Sequence, residues 1–110
     1  QKLSNSNFHI QFTKYIMEGD HVVYLIELVC KEDNNYSLTY KERYSVLETF
    51  HDKFKKEAKS NNYPTFPPKK LFGNTDPKFL SQRLNSLQSY FTNILTHKDF
   101  SKLKTVKEWI

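Results

Sequence analysis

Basic side chains that could hold an anion occur at three places along the chain. They are Arg43 with its neighbour Tyr44, Lys69 and Lys70 after a proline-rich stretch, and Arg83 in a segment of helical periodicity. The guanidinium of an arginine presents a planar fork of N–H donors that matches a phosphate group. The aromatic ring beside Arg43 can pack against a sugar face, and a stiff proline backbone can fix where the lysine amines point.

Each of these residues also has an ordinary explanation in a folded protein. Arg43 could form a surface ion pair with Glu42 or Glu48, and the two lysines could be a solvated pair. Arg83 lies at the border of the buried face of its segment, where an arginine is costly unless it is paired. Its candidate partners are Asp76, Glu27 and Glu42.

Residue patterns that support catalysis or metal binding are missing. The four histidines share no metal-ligand spacing, and the chain has two glycines and no glycine-rich phosphate loop. The single cysteine, Cys30, lies in an apolar run, where a thiol is typically a small core residue. We therefore expect a binding module with no catalytic residues, no metal and no enzyme activity.

The overall composition fits one domain of a binding protein. The chain has 110 residues, a formal net charge of +5 and a pI of about 9.3. A basic excess suggests an anionic partner such as nucleic acid, a phospholipid surface or an acidic protein. One cysteine fits a reducing compartment, and no apolar stretch approaches the roughly 18 residues of a membrane span. We expect residues 1–110 to form a single domain excised from a larger protein.

The first forty residues predict three strands. Alternating apolar residues from Phe8 to Phe12 indicate a half-buried strand, and residues 21–31 are rich in β-branched and aromatic side chains. A second alternation from Tyr36 to Tyr40 gives the third strand. Turn sequences at 18–20 and 31–35 are short, which is typical of an antiparallel meander.

Helical periodicity replaces the alternation from residue 45 onwards. Apolar residues recur at steps of three and four, at Leu47, Phe50, Phe54 and Ala58. Ser45, with Glu48 three residues later, predicts a capping box, and the asparagines at 61–62 suggest the end of the helix. Prolines at 64, 67 and 68 then favour an extended polyproline segment.

A second, longer helix follows the proline segment. Asp76 or Thr75 can cap it, with Pro77 at its first position. Its apolar face consists of Leu80, Leu84, Leu87, Phe91 and Ile94. Residues 98–110 predict one or two short helical pieces. The predicted fold class is α+β, a three-stranded antiparallel sheet followed by a helical subdomain, with a proline-rich loop between the first two helices.

The order of the predicted elements and basic sites along the chain resembles that of the Phox-homology (PX) domain, a phosphoinositide-binding membrane module. The resemblance rests on ERYS at residues 42–45 with Phe50, on FPPKKLFG at 66–73 and on RLNSLQSYF at 83–91. These segments are similar to the family's arginine–aromatic segment, its proline–lysine element and its arginine-bearing helix. The match extends over essentially the whole chain.

The resemblance implies a role for each basic site. Arg43 would grip the 3-phosphate of the inositol ring, and Tyr44 would stack under that ring. Lys69 would hold the 1-phosphate, while Arg83 would hydrogen-bond the 4- and 5-hydroxyls and so disfavour phosphates there. This set is associated with phosphatidylinositol 3-phosphate, which implies a cytoplasmic protein bound peripherally to endosomal or related membranes. The resemblance implies no cofactor and specifies no oligomeric state.

Two further expectations come from the same resemblance. Leu71 and Phe72 would insert into the acyl region of a bilayer while Lys70 stays at the anionic interface; the alternative is that both apolar residues fold back onto the core. Glu42 departs from the family, which often has a second basic residue there. An acid at this position could lower affinity, or it could point outward and orient Arg43.

Other functions are compatible with parts of the sequence. PTFP at residues 64–67 matches PxxP and could dock a Src-homology-3 groove, which would make the chain a protein-interaction PX domain with weak or no lipid binding. Nucleic-acid binding fits the basic charge and the aromatic content. However, the lysines lie on different elements and no RNA-binding signature is present, so we expect no nucleic-acid partner.

Overall fold

The structure has the predicted α+β architecture, with a sheet first and helices after it. A computed structural model describes residues 8–32, 36–59, 62–70 and 75–109. The strands are β1 (Phe8–Glu18), β2 (His21–Cys30) and β3 (Ser37–Arg43). The helices are α1 (Tyr44–Ala58), α2 (Pro77–Thr96) and α3 (Lys104–Trp109), with a 3-10 turn at Phe100–Lys102 before α3.

The sheet is an antiparallel meander in the order β1-β2-β3, as predicted. The turn between β1 and β2 contains Gly19 with a φ of 63°, a backbone conformation that glycine adopts without steric cost. A β-bulge at Thr13 shifts the register of β1, because Phe12 pairs with Ile26 whereas Lys14 pairs with Leu25. The bulge reverses which residues face the helices, so the alternation that begins at Phe8 could be followed in the sequence only to Phe12.

The third strand is longer and more exposed than the alternation from Tyr36 to Tyr40 suggests. It continues to Arg43, and Tyr36 and Leu38 are 47% and 39% exposed. Tyr40 is partly covered, and its ring lies 5.9 Å from that of Trp109. As an edge strand it pairs with β2 alone, and the main contact between helices and sheet is that of α2 with β1.

The core lies between the inner face of the sheet and the apolar faces of α1 and α2. Residues at the predicted helical spacing are buried there, including Leu47, Phe50, Phe54, Leu80, Leu87, Phe91 and Ile94. Trp109 of α3 closes the far side by stacking on Phe91, with ring centroids 4.6 Å apart. Cys30 is partly buried against this core, which agrees with its expected structural role. Ile110, the last residue of the segment predicted to hold one or two short helical pieces, lies outside the described residues.

The predicted start of α1 is wrong, whereas that of α2 is confirmed. β3 continues into α1 without a loop, so Arg43 is the N-cap residue and Ser45 already lies in the first turn, where it cannot cap. At the other end α1 stops at Ala58, because Lys59 adopts a left-handed conformation (φ 54°) before the asparagines at 61–62. In α2, Asp76 Oδ2 accepts a hydrogen bond from the Phe79 backbone N–H at 3.2 Å.

The different cap geometries predict different costs of substitution. Asp76→Ala should lower the free energy of unfolding by about 1 kcal/mol, because the Phe79 N–H loses its acceptor. Ser45→Ala should change it by less than about 0.5 kcal/mol, because the Ser45 side chain is exposed and caps nothing. Denaturant unfolding of the two variants measures both values, and equal losses would contradict the assignment.

Candidate functional site

A single cavity of about 290 Å³ brings together the basic sites that are far apart in the sequence. It lies where the end of β3 and the start of α1 meet the proline segment and the first turns of α2. Among the residues that line it are Arg43, Tyr44, Lys69, Lys70 and Arg83. The four residues predicted to hold a phosphoinositide headgroup therefore line the same space.

Arg43 is held at the junction of a strand and a helix. Its backbone pairs with Val23 of β2, and it precedes the first residue of α1. The N-terminus of a helix has free N–H groups and a positive dipole end, so this position favours an anion. Neither suggested ion pair of Arg43 forms within the described ranges; Glu48 instead approaches Lys69, with Oε1 3.5 Å from Nζ.

Glu42 does not line the cavity. Adjacent strand residues point to opposite faces of a sheet, so the Glu42 side chain leaves the strand on the side opposite to that of Arg43. It is partly buried near Tyr40, and this burial raises the pKa of the Glu42 carboxyl. The acid thus neither points outward to orient Arg43 nor belongs to the wall of the cavity.

The proline segment is fixed by two hydrogen bonds to its carbonyl groups. The Tyr44 hydroxyl donates to Pro67 O at 2.6 Å, and Arg83 Nη2 donates to Pro68 O at 2.9 Å. These two carbonyls directly precede Lys69, so its backbone position is set by α1 and α2 together. The ion pair between Lys69 and Glu48 is largely exposed on the lysine side, and such pairs are weak enough to be exchanged for a phosphate.

Arg83 is buried, with 7% of its surface exposed, and it has no carboxylate partner in the described part of the chain. None of the three acids suggested by the sequence pairs with it. Its guanidinium instead stacks on Tyr44, 3.8 Å from the ring centroid, and on Phe79 at 4.6 Å. The positive charge is therefore retained inside the cavity, held by aromatic rings and one carbonyl.

The ring of Tyr44 already has two neighbours. Arg83 covers it on one side, and the ring of Phe66 lies 5.5 Å away. Tyr44 therefore contributes to the floor of the cavity together with Arg83. Lys70 lies with its Nζ 4.4 Å from the centre of the Phe79 ring, at the rim. Leu71 and Phe72, the predicted insertion residues, lie outside the described residues.

Sequence reasoning missed the contribution of β2 and of the turn before it. Asp20, His21 and Tyr24 also line the cavity, and His21 Nε2 lies 3.4 Å from Asp20 Oδ1. Residues 21–31 indicated only a buried strand, because composition does not show what a strand end faces. The available signal was the meander itself, since antiparallel pairing of β2 with β3 places residues 21–24 beside Arg43.

The described ranges contain no group of three or more side chains that could hold a metal ion. Nor does any helix within them have the length and apolar character needed to cross a bilayer.

Comparison with known proteins identifies the family. The sequence model of the PX domain family matches residues 31–110. This range includes all four residues predicted to bind the headgroup. The chain belongs to the PX domain family. PX domains are phosphoinositide-binding modules, and the family that matches is not a catalytic one.

Individual relatives agree with this assignment over different lengths. Sorting nexin-17 from Homo sapiens and from Bos taurus is 46% identical over 48 residues, which are 44% of this chain. The matched part spans 10% of those relatives. A designed CISK-PX domain superposes with a TM-score of 0.77 at 23% identity, covering 92% of this chain and 96% of that one. The tandem PX-PH domains of Bem3 from Saccharomyces cerevisiae superpose with a TM-score of 0.76 at 17% identity. This match covers 96% of this chain and 50% of that one.

His51 connects this site to the core. It is 9% exposed, its ring stacks on Phe66 with centroids 4.7 Å apart, and its Nδ1 lies 2.6 Å from the Tyr90 hydroxyl. Burial lowers the pKa of His51 from its ordinary value of 6.5, and the nearby charge of Lys55 adds to the effect. The neutral imidazole is thus the form that supports the proline segment.

The stability of this PX domain should consequently fall on acidification. Below pH 6.5 the unfolded chain takes up a proton at His51 more readily than the folded chain does, so protons favour unfolding. Denaturant unfolding between pH 7.5 and 5.5 should show a smaller loss for His51→Gln than for the wild type. His9→Gln, at an exposed position, is the control and should keep the wild-type slope. Equal slopes in all three proteins would contradict this role of His51.

Proposed function

We propose that this PX domain binds phosphatidylinositol 3-phosphate and holds a larger cytoplasmic protein on endosomal or related intracellular membranes. The observation that carries the proposal is that Arg43, Tyr44, Lys69 and Arg83, the set associated with this lipid, line one cavity. Its volume of about 290 Å³ is close to the lower end of ligand pockets, about 300 Å³, which suits a headgroup whose acyl chains stay outside.

Each basic residue has the surroundings that its proposed role requires. Arg43 lies at the helix N-terminus and forms no ion pair with another described residue, so it is available for the 3-phosphate. Lys69 would exchange its exposed partner Glu48 for the 1-phosphate. Arg83 is held by the Pro68 carbonyl and two rings, so its remaining donors could reach the 4- and 5-hydroxyls.

Membrane insertion is the second part of the proposal. Lys70 lies at the rim of the cavity, and Leu71 and Phe72 follow it in the chain. Burial of each apolar side chain in a bilayer contributes about 1.5–3 kcal/mol, and a lysine at an anionic surface about 1 kcal/mol. One hydrogen bond to a charged group contributes about 1.5–3 kcal/mol. Headgroup recognition and insertion are therefore comparable, and stable attachment needs both.

The proline segment is less suited to a Src-homology-3 groove than its PxxP pattern suggests. Pro67 is buried, its carbonyl accepts from Tyr44, and Phe66 packs 5.0 Å from the ring of Tyr90. A PxxP ligand must present its prolines, so docking would first detach the segment from the domain. The likeness to sorting nexin-17 also supports a role in membrane sorting over a soluble adaptor role.

Loss of the 3-phosphate contact should abolish selective binding. Arg43→Ala should weaken binding to liposomes that contain phosphatidylinositol 3-phosphate by about tenfold or more, because one charge-assisted contact is lost. Lys53→Ala removes the same charge from an exposed position of α1 outside the cavity and should change binding less than about twofold. Liposome flotation at physiological salt, with each phosphoinositide in turn, measures both. Equal binding to every anionic liposome, unaffected by Arg43→Ala, would refute the proposal.

Insertion can be separated from headgroup recognition. The double change Leu71→Asp and Phe72→Asp should abolish liposome flotation and leave the affinity for a soluble, short-chain phosphatidylinositol 3-phosphate unchanged within about twofold, because only the bilayer contact is removed. Leu38→Asp, at an exposed position of β3, is the control and should float like the wild type. A lower melting temperature with normal flotation would instead place both residues in the core.

A further inference from the structure

Tyr24 lines the cavity and carries a buried hydroxyl group. It lies on the inner face of β2 with no exposed surface, and its backbone pairs with Tyr15 on one side and Glu42 on the other. Its hydroxyl oxygen has no hydrogen-bond partner within the described ranges. Burial raises the pKa of Tyr24, and the positive charge and N–H donors of Arg83 act against that rise. Tyr24 and Arg83 line the same cavity, and no hydrogen bond joins the hydroxyl to the guanidinium.

Arg83 has an unused donor at the same place. Its Nη2 is committed to the Pro68 carbonyl, but its buried Nε has no partner among the described residues. Buried polar atoms without a hydrogen bond are rare in folded proteins and costly when they occur. An arginine Nε–H can only donate, whereas a tyrosine oxygen can accept, so the two unsatisfied atoms are chemically complementary.

We propose that Tyr24 is a positioning residue for Arg83, and that its oxygen accepts a hydrogen bond from Arg83 Nε when a phosphoinositide headgroup occupies the cavity. The inference rests on the proposed function, because it concerns how the same site reads the inositol ring. Tyr24 need not touch the lipid. It acts by fixing the plane of the guanidinium whose remaining donors face the 4- and 5-hydroxyls.

The consequence of this bond is selectivity. With Tyr24 engaged, the guanidinium is held by the Pro68 carbonyl, by the rings of Tyr44 and Phe79, and at Nε. A group held on so many sides cannot turn away to admit a phosphate in place of a hydroxyl. Without the Tyr24 hydroxyl, the guanidinium can rotate about its side-chain bonds, which weakens the contacts to the hydroxyls and relieves the clash with an added phosphate.

The substitution Tyr24→Phe tests this inference, because it removes one oxygen atom and keeps the ring. Tyr40→Phe is a matched control. The Tyr40 hydroxyl is also buried and unpartnered within the described ranges, and burial raises the pKa of Tyr40 to about 12. However, Tyr40 is not among the residues that line the cavity. Both changes delete a buried, unpaired hydroxyl, so neither should lower the melting temperature.

Calorimetric titration with soluble short-chain lipids supplies the readout. For Tyr24→Phe we expect about tenfold weaker binding of phosphatidylinositol 3-phosphate and a smaller preference for it over the 3,5-bisphosphate. Tyr40→Phe should match the wild type in both. If Tyr24 had only a structural role, Tyr24→Phe would weaken the binding of both lipids by the same factor and lower the melting temperature. The preference for phosphatidylinositol 3-phosphate over the 3,5-bisphosphate would then be unchanged.

Two results overturn the inference in different ways. If the wild type binds phosphatidylinositol 3-phosphate and Tyr24→Phe has the same affinity and the same preference, Tyr24 does not position Arg83, and the proposed function stands. If the wild type binds neither soluble lipid nor liposomes, the proposed function fails and the inference fails with it.

Discussion

The organisation of the site depends on how a segment without its own secondary structure is held between two helices. Proline has no backbone N–H, so residues 64–68 cannot be fixed by a full hydrogen-bond ladder. They are fixed through acceptors, because Tyr44 of α1 and Arg83 of α2 each donate to a proline carbonyl. The same two side chains form the floor of the cavity. Holding the segment and shaping the site are thus one set of contacts, and neither can change alone.

The aromatic content explains how so small a domain makes this arrangement rigid. Aromatic residues are 15% of the chain, and several of them connect the segment to the core. Phe66 packs against Tyr44, His51 and Tyr90, and Tyr90 continues to Phe91 at 4.9 Å. Ring-to-ring packing contributes burial and orientation together. A binding site built on such a cluster loses little conformational entropy when a ligand binds, which favours affinity without a large interface.

Periodicity predicted the elements, but it could not predict which of them meet. The apolar spacings of α1 and α2 identified their buried faces, since burial follows directly from helix geometry. The convergence of Arg43, Lys69 and Arg83 could be expected only from family resemblance, because chain spacing does not set distance in space.

Tyr24 was missed, since strand composition does not show what a strand end faces, and Thr13 was missed because a bulge has no sequence signal of its own. Ser45 was wrongly assigned as a cap because a strand that enters a helix directly leaves no loop residue to cap it.

The acids around the cavity show why its charge remains available to a ligand. Glu48 lies beside Lys69 at the surface, Glu18 pairs with Lys41 on the outer strands, and Asp20 faces His21 in the turn. None of them approaches Arg83 in the described part of the chain. A carboxylate paired with Arg83 would have neutralised the charge of the guanidinium and occupied the position of a ligand oxygen. Because rings and carbonyl dipoles hold it instead, the arginine is oriented without being neutralised, and an anion that enters the cavity meets the full positive charge.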